Sequence, residues 1–218
     1  MIITMMKKLP LFLVACLALI IASPVSGLFF KTWKHPRYDA LQSGDIVFQD
    51  TGGQQGEAVR AATGSDFTHC GVVFQAGETL YVLEAVQPVS VISLKEWKKR
   101  STVFHARRLK NPAKLDEAAF TKALAWGEKQ LGKPYDLHFK WDDNSLYCSE
   151  LVWKIYKKST GIALCQPKSF ESYFLEDKTV RELIRQRYGD LDKLPKKEPV
   201  VAPSDLAASP LLIEVPRR

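Results

Sequence analysis

A cysteine at the start of a predicted helix is the side chain in this sequence that is best placed for chemistry. Cys148 follows the polar run 142–145 and begins an apolar helical pattern that ends before Gly161. The unbonded N–H groups and the dipole at a helix N-terminus favour negative charge. A thiol there has a lowered pKa and can act as a nucleophile at neutral pH. A catalytic thiol is one interpretation of Cys148, and a small buried side chain on a helix is the other.

A histidine far upstream could supply the base that such a thiol needs. Two predicted strands turn at Ala76 and Gly77, and this register places His69 directly opposite Glu84. Facing side chains of an antiparallel pair have Cβ atoms about 4.5–5.5 Å apart, so we expect the Glu84 carboxylate to accept a hydrogen bond from His69. Gly71 is the next residue on that face and lets another element approach His69. Taken alone, His69 would be a core or turn histidine and Glu84 a solvent-facing carboxylate.

The elements around these residues predict an α+β fold, with strands mainly in the first half and helices mainly in the second. The spacing of the three residues does not by itself bring the cysteine helix to the sheet. The segment Gln42–Gln49 is predicted to be a turn that enters a buried strand, and further strands are predicted at His69–Gln75, Leu80–Glu84, Val89–Ser93 and Val103–Arg107. The predicted helices lie around Ala58–Ala62 and at Leu94–Arg100, Leu115–Leu131, Cys148–Thr160, Ser169–Glu176 and Val180–Tyr188.

The N-terminus has the pattern of a secretory signal. Lys7–Lys8 precede the apolar run Leu9–Ile21, and small residues lead to a plausible cleavage site after Gly27. The apolar run is short for a transmembrane helix. Cys16 also resembles a lipidated cysteine, but the apolar run continues past it, which argues against lipoprotein anchoring. We therefore expect residues 1–27 to direct export to the periplasm or the extracellular space.

The remaining chain is long enough for one domain with a hydrophobic core and too short for two ordinary domains. We assign residues 28–190 to this domain and 191–218 to a proline-rich tail that packs on it or extends from it. The formal charge is +7, which suits an anionic substrate, an anionic membrane surface or a cell-wall polymer. The sequence has no RNA-binding aromatic motif and no dense Lys/Arg stripe, so we expect no nucleic-acid partner.

Three cysteines follow the signal segment, and export would place them in an oxidising compartment. If Cys148 is a working thiol, Cys70 and Cys165 either form a disulfide or are small buried hydrophobes. The strand pattern around Cys70 favours the second interpretation. The histidines are scattered without metal-ligand spacing, and phosphate-loop and dinucleotide motifs are absent. We therefore expect no metal and no cofactor.

Five short segments, taken in order, resemble the YiiX family. They are Gly44–Gln49, Ser65–Gly71, Leu83–Val86, Gly132–Asp136 and Tyr147–Glu150. That family is made of permuted papain-like enzymes, related to NlpC-type cell-wall peptidases and to the lecithin:retinol acyltransferase group. Its histidine strand precedes its cysteine helix, the reverse of papain's order, and this chain has the permuted order. The resemblance implies a circularly permuted papain-like fold, with an antiparallel sheet packed against helices and the nucleophile at a helix N-terminus.

The resemblance also implies catalytic roles. Cys148 would be the nucleophile, and His69 would be the general base and then the acid that protonates the leaving group. Glu84 would orient His69 and stabilise its imidazolium, as the third member of such a triad does. The backbone N–H of Cys148 would donate to an oxyanion.

Three further residues are candidate substrate-binding positions. Tyr135 and Tyr147 either supply a second donor to the oxyanion or only pack. Asp45 resembles a family position near the cleft, where it could bind a substrate amine. Its alternative role is that of a carboxylate in a Gly-Asp turn.

The sequence therefore predicts an exported cysteine hydrolase that cleaves an amide or ester bond through an acyl-enzyme on Cys148. The substrate is a cell-wall peptide fragment or an acylated lipid or lipid amide, and a lipid substrate would bring peripheral membrane contact. A peptide stem would favour Asp45 in the pocket, whereas a lipid would need an apolar trough. The alternatives are a non-catalytic module that binds an amino acid or wall fragment, and an acyltransferase that uses the same thiol.

Overall fold

The structure of the protein is a computed structural model that describes residues 41–215. The predicted signal peptide at residues 1–27, with its Cys16 alternative, lies outside the described residues. Within residues 41–215, no helix is long and apolar enough to cross a membrane.

A six-stranded antiparallel sheet forms the centre of the molecule, in the order β4-β3-β2-β1-β5-β8. Its strands are β1 (Ile46–Gln49), β2 (His69–Ala76), β3 (Thr79–Glu84), β4 (Ser90–Ser93), β5 (His105–Leu109) and β8 (Leu212–Glu214). A separate small sheet pairs β6 (Lys168–Ser169) with β7 (Pro199–Val200). The mixture of an antiparallel sheet with packed helices is the predicted α+β class.

Six α-helices surround the sheet in the described part of the chain. They are α1 (Gly53–Thr63), α2 (Leu94–Lys98), α3 (Glu117–Glu128), α4 (Cys148–Thr160), α5 (Lys178–Tyr188) and α6 (Pro203–Ala207). The bounds of α4 agree with the prediction, and Gly161 ends this helix in the left-handed conformation at φ 76°. The predicted helix at Ser169–Glu176 is wrong, because this stretch contains the end of β6 and the short 3₁₀ turn Phe170–Ser172.

The two faces of the sheet have different partners, because successive side chains of a strand point in opposite directions. The front face, which includes Phe48 and Val72, packs in one buried cluster with residues of α3 and α4. The back face, which includes Val47 and Val73, packs around Trp97 of α2. The candidate catalytic residues therefore belong to elements on opposite sides of the sheet. His69 lies on the back face, and Cys148 lies on helix α4, which packs on the front face.

The β2–β3 hairpin turns one residue later than the sequence analysis expected. Ala76 pairs with Thr79, so the turn is formed by Gly77 and Glu78, with Gly77 at φ 58°. The predicted pairing of His69 with Glu84 is therefore wrong as a direct cross-strand pair. Continuing the observed register places Glu84 opposite Gly71 and diagonal to His69. The slip is two positions, so the two side chains still share one face.

The proline-rich segment after residue 190 is built into the same fold. Its strand β8 pairs with β5 at the edge of the main sheet. Val201 and Leu206 are buried in the front cluster. Just before this segment, α5 packs its apolar side chains on Ala58 of α1 in a third cluster.

Candidate active site

A buried hydrogen bond joins the histidine and the glutamate. His69 Nε2 lies 2.6 Å from Glu84 Oε2, and both side chains are almost completely buried. Gly71 makes this diagonal contact possible, because a Cβ there would lie 3.4 Å from Glu84 Cβ and 2.8 Å from the Leu83 carbonyl oxygen. The bond uses Nε2 of the imidazole and leaves Nδ1 for another partner.

Two further donors from the α2 region hold the glutamate. Trp97 Nε1 donates to Glu84 Oε2 at 3.0 Å, and Arg100 Nη1 donates to Glu84 Oε1 at 2.6 Å. Burial alone would raise the pKa of Glu84, but hydrogen bonding and charge from His69 and Arg100 outweigh it and hold this pKa below its usual value. Sequence reasoning missed Trp97 and Arg100. Their spacing of three residues indicates that they share one face of a helix, but it does not show which residues that face contacts.

The imidazole also interacts with the Cys148 thiol. Burial by itself lowers the pKa of His69, but hydrogen bonding to Cys148 and Glu84 outweighs burial and raises this pKa to about 9. The pKa of the Cys148 thiol lies well below its usual value. The two pKa shifts thus favour a thiolate at Cys148 and an imidazolium at His69 at neutral pH.

A second thiol, that of Cys70, lies against Cys148. Cys70 follows His69, so its side chain points to the front face and lies in the same buried cluster as Cys148. Hydrogen bonding from the Cys70 thiol is the largest cause of the lowered pKa of Cys148; burial opposes it, and His69 adds to it. Burial raises the pKa of Cys70 itself, which keeps this thiol a donor. The sequence analysis assigned Cys70 no chemistry, because the strand pattern does not show which element packs on its face.

No disulfide is formed among the described residues: Cys70, Cys148 and Cys165 are all free thiols. The disulfide alternative for Cys70 and Cys165 is therefore not found in the described structure, where Cys70 is buried and Cys165 is partly buried. Burial raises the pKa of Cys165 to about 12. Of the three thiols, only Cys148 has a pKa that favours the thiolate at neutral pH.

The start of α4 can bind an oxyanion. The first helical bond is donated by Leu151 N to the Tyr147 carbonyl oxygen, and Glu150 Oε2 reaches back to Tyr147 N at 3.4 Å. The N–H of Cys148 comes first in the helix and has no intrahelical acceptor. This donor lies on the same residue as the candidate nucleophilic sulfur, an arrangement that could stabilise the oxyanion of a tetrahedral intermediate.

The two candidate tyrosines both line the pocket that contains Cys148. Tyr147 accepts a hydrogen bond from Val201 N at 3.2 Å and packs edge-on against Phe139. Tyr135 accepts a hydrogen bond from Gln55 Nε2 at 2.7 Å. Tyr147 is thus fixed by packing and by a backbone donor, whereas Tyr135 belongs to a polar cluster at the pocket wall.

Asp45 is not brought to this site. It is completely buried, and its two oxygens accept from Arg108 Nε at 2.7 Å and Arg108 Nη2 at 2.8 Å. A third bond comes from Gln42 N at 2.9 Å. Burial raises the pKa of Asp45, against the pull of Arg108. Asp45 does not line the pocket, so its placement fits the turn alternative and not a bond to a substrate amine.

The pocket beside Cys148 is mainly apolar. It lies between α1, α5 and the segment after β7, and Cys148 and Ser149 form part of its wall. Arg187 is the one Arg, Lys, Asp or Glu residue among the described residues that line it. Its aliphatic wall consists of Ala58, Val59, Ala62, Leu175, Val180, Leu183, Ile184, Leu194, Val200, Val201, Ala202 and Pro203. The Cys148 side chain therefore lies in the wall of a trough that is lined mainly by apolar side chains.

Comparison with known proteins identifies the family of this chain. A family model described as permuted papain-like amidase enzyme, YaeF/YiiX, C92 family, matches residues 40–215. The chain belongs to this family. Membership confirms the predicted resemblance and the permuted papain-like fold, and it makes the protein a member of an amidase family. Family membership also supports a cysteine hydrolase in general terms.

Two relatives from Escherichia coli match most of the chain. The uncharacterized protein YiiX of strain K12 is 32% identical over 179 residues, which covers 80% of this chain and 85% of that protein. A crystal structure described as metalloprotein YiiX from strain O157:H7 has 33% identity and a TM-score of 0.75, and covers 81% of this chain and 97% of that one.

The description of that relative as a metalloprotein raises the question of a metal site in this family member. Within residues 41–215, no group of three or more His, Cys, Asp or Glu side chains is arranged to hold a metal ion. His69 uses Nε2 to bond Glu84. The described residues therefore do not provide a ligand set of that kind.

Proposed function

We propose that this protein is a cysteine hydrolase that cleaves the amide or ester bond of a substrate with an aliphatic acyl chain. The observation that carries the proposal is the position of Cys148 in the wall of a mainly apolar pocket. The hydrolase class is supported by family membership. The choice of an acyl chain is supported by the aliphatic side chains that line the pocket.

The reaction begins with attack by the Cys148 thiolate on the acyl carbonyl carbon. A C–S bond forms, and the carbonyl π electrons move to oxygen, where the Cys148 N–H donates to the oxyanion. The intermediate collapses and expels the amine or alcohol, which takes its proton from the His69 imidazolium. Neutral His69 then accepts a proton from water, whose oxygen attacks the acyl-enzyme and releases the acid and the thiolate. Glu84 stabilises the imidazolium through the 2.6 Å bond.

A cell-wall peptide is the weaker substrate candidate. The expected carboxylate for a peptide amine was Asp45, which is paired with Arg108 away from the pocket. The charged side chain that does line the pocket is the cation Arg187. A mainly apolar trough without a carboxylate favours a hydrocarbon chain over the amine of a peptide stem.

Turnover of p-nitrophenyl esters with acyl chains from butyrate to dodecanoate tests the proposal. We expect kcat/KM to rise with chain length, and Cys148→Ala to lose at least about 1000-fold in kcat while still binding the longer chains. Cys165→Ala is the matched control and should keep wild-type turnover. Undiminished turnover by Cys148→Ala would contradict the proposal.

The same experiment separates the alternatives. Binding of the esters without turnover in the wild-type protein would indicate a binding module. Faster release of p-nitrophenol on addition of an amine, with formation of the acyl amide, would indicate an acyltransferase that uses the same thiol.

We also propose that residues 1–27 export the protein, and that its lipid substrate brings it into peripheral contact with a membrane. The support is the charged, apolar and small-residue order of the N-terminal sequence. Fractionation of cells that express the full chain, with N-terminal sequencing of the product, tests this. An intact Met1 in the cytoplasmic fraction would contradict it.

A further inference from the structure

Three polar side chains in the wall of the pocket are joined by hydrogen bonds. Arg187 Nη2 donates to Gln55 Oε1, and Gln55 Nε2 donates to Tyr135 Oη at 2.7 Å. Arg187 is itself fixed by the Leu137 carbonyl oxygen, 2.8 Å from Nη1, and by the Phe139 ring, whose centroid lies 5.1 Å from its Cζ atom. Arg187 is therefore fixed by two contacts besides its bond to Gln55.

The direction of these bonds follows from the chemistry of the groups. A guanidinium can only donate, so it selects the oxygen of the Gln55 amide and turns the amide nitrogen toward Tyr135. The nitrogen donates, so Tyr135 Oη is the acceptor of that bond. Its own proton is then left to point elsewhere, and within residues 41–215 no side chain or backbone oxygen accepts it. Arg187 thus determines, through Gln55, that Tyr135 is a hydrogen-bond donor.

The backbone places this donor near the nucleophile. Asp136 N donates to the Leu146 carbonyl oxygen and Leu146 N donates to the Pro134 carbonyl oxygen, both at 3.2 Å. Tyr135 is therefore tied to the residue two positions before Cys148, and both side chains line one pocket. Burial and the nearby Cys148 thiolate raise the pKa of Tyr135 well above its usual value, so its hydroxyl keeps its proton at neutral pH.

We propose that Tyr135 is the second oxyanion donor of this enzyme, and that Gln55 and Arg187 are positioning residues that aim its hydroxyl. The inference rests on the proposed thiol hydrolysis. When the Cys148 sulfur bonds to the acyl carbon, the carbonyl π electrons move to oxygen and no proton is transferred in that step. The Tyr135 O–H and the Cys148 N–H both donate to the new oxyanion.

Two substitutions test the inference with p-nitrophenyl octanoate as the probe. Tyr135→Phe removes the donor, and we expect kcat to fall about 100-fold with KM changed less than about threefold. Gln55→Glu keeps the shape and the bond to Arg187 but replaces the amide nitrogen by an acceptor oxygen. The Tyr135 hydroxyl then donates to the introduced carboxylate and turns away from the oxyanion. We expect a loss of kcat of the same order.

The double variant and two controls make the test specific. Gln55→Glu added to Tyr135→Phe should cost no further activity, because the donor is already absent. Gln54→Glu places the same charge change on an exposed neighbour in α1 and should keep wild-type kcat. Alkylation of Cys148 by iodoacetamide forms no oxyanion, so Tyr135→Phe should leave its rate within about twofold of wild type.

Each outcome has a distinct meaning. If Tyr135→Phe or Gln55→Glu keeps wild-type kcat, or if their effects add fully in the double variant, the inference is overturned while the thiol hydrolase stands. If wild-type protein does not turn over the ester, or if Cys148→Ala does so, the proposed function itself fails.

Discussion

Glu84 is the residue whose surroundings best explain the chemistry of the site. Its carboxylate is fully buried, yet it accepts hydrogen bonds from His69, Trp97 and Arg100. Burial of an unpaired carboxylate would favour its neutral form. These donors keep it ionised, and the ionised carboxylate in turn stabilises the imidazolium beside Cys148. The charge state of the Cys148 thiol thus depends on a network of charged groups that extends to the other face of the sheet.

Glu84→Gln should move the alkaline limit of activity. The imidazolium is required to protonate the leaving group, so activity is present below the pKa of His69 and lost as the pH rises through it. This pKa is about 9 in the wild-type protein. Loss of the carboxylate should shift the limit toward the ordinary histidine value of about 6.5 and lower kcat at least about 10-fold. The pH profile of kcat/KM measures this, with Glu96→Gln on the exposed side of α2 as the control.

An unchanged alkaline limb in Glu84→Gln would contradict the assigned role of Glu84. A shift of this alkaline limit to lower pH, with a matching change in the pH dependence of Cys148 labelling by iodoacetamide, would support it. Both measurements depend on the protonation of the Cys148–His69 pair, whereas they have no other step in common.

A second buried carboxyl, Glu150, should make stability depend on pH. Burial raises its pKa to about 8, against the pull of Lys154. The folded protein then holds a proton that the unfolded chain loses above the ordinary value of about 4.3. Stability from this group is therefore present at low pH and lost as the pH rises through about 8.

Glu150→Gln removes this loss and should raise the Tm at pH 9 by roughly 2–4 °C, about 1 kcal/mol for a domain of this size. At pH 5 the Tm should be nearly unchanged. Thermal unfolding at the two pH values measures the difference, with the exposed Glu57→Gln as the control. An equal change at both pH values would contradict the titration of Glu150.

At the scale of elements, the sheet positions the triad through a glycine. In Gly71→Ala, the new Cβ would lie 2.5 Å from Val82 Cγ1 and 2.8 Å from the Leu83 carbonyl oxygen. We expect a loss of about 1–3 kcal/mol in stability and, because β3 carries Glu84, a fall in kcat of at least about 10-fold. Thermal unfolding and ester turnover measure the two effects.

Gly127→Ala is a matched control for this substitution. Its Cβ would meet only the Leu83 Cδ2 atom, at 2.7 Å, and that atom is the movable end of a side chain. Alanine also favours a helix over glycine by about 1 kcal/mol. We expect near-neutral stability and normal activity, so a loss as large as that of Gly71→Ala would contradict the specific role of β3.

The helix bounds and the hairpin register also show which features of the fold could be predicted from the sequence. The bounds of α4 could be predicted, because the polar run before Cys148 and the cap at Gly161 are local signals. The hairpin register could not, because a turn at Ala76-Gly77 and one at Gly77-Glu78 differ by a single residue but shift the pairing by two. His69 and Glu84 were still correctly predicted to share one face of the sheet, because strand side chains alternate with a period of two and the error was two positions.

At the scale of the whole molecule, the pocket is assembled from segments far apart in sequence. Gln55 of α1 and Arg187 of α5 are 132 residues apart, yet their side chains are bonded. The hydrophobic patterns of α1 and α5 predicted helices but not their contact. For the same reason, Cys70, Trp97 and Arg100 gave no functional signal before the packing of α2 and α4 was known.

Filling the pocket should change the preferred acyl chain. Ala62 lies in the pocket wall, and Ala62→Phe adds a ring where the hydrocarbon chain would lie. We expect kcat/KM for p-nitrophenyl dodecanoate to fall at least about 10-fold while that for the butyrate changes less than about threefold. Ala208→Phe adds the same ring at an exposed position outside the pocket and should leave both values unchanged. A proportional loss for both esters would contradict an acyl chain in this pocket.

The most direct test of the central claim is alkylation of the folded protein by iodoacetamide from pH 4 to 9, with the modified residue identified by mass spectrometry. We expect selective labelling of Cys148 with a midpoint well below the ordinary thiol value of about 8.5, and a return toward that value in His69→Ala. Cys70 and Cys165 should label slowly across the range. If Cys148 labels no faster than these two thiols, the thiolate–imidazolium pair is absent and the hydrolase account is contradicted.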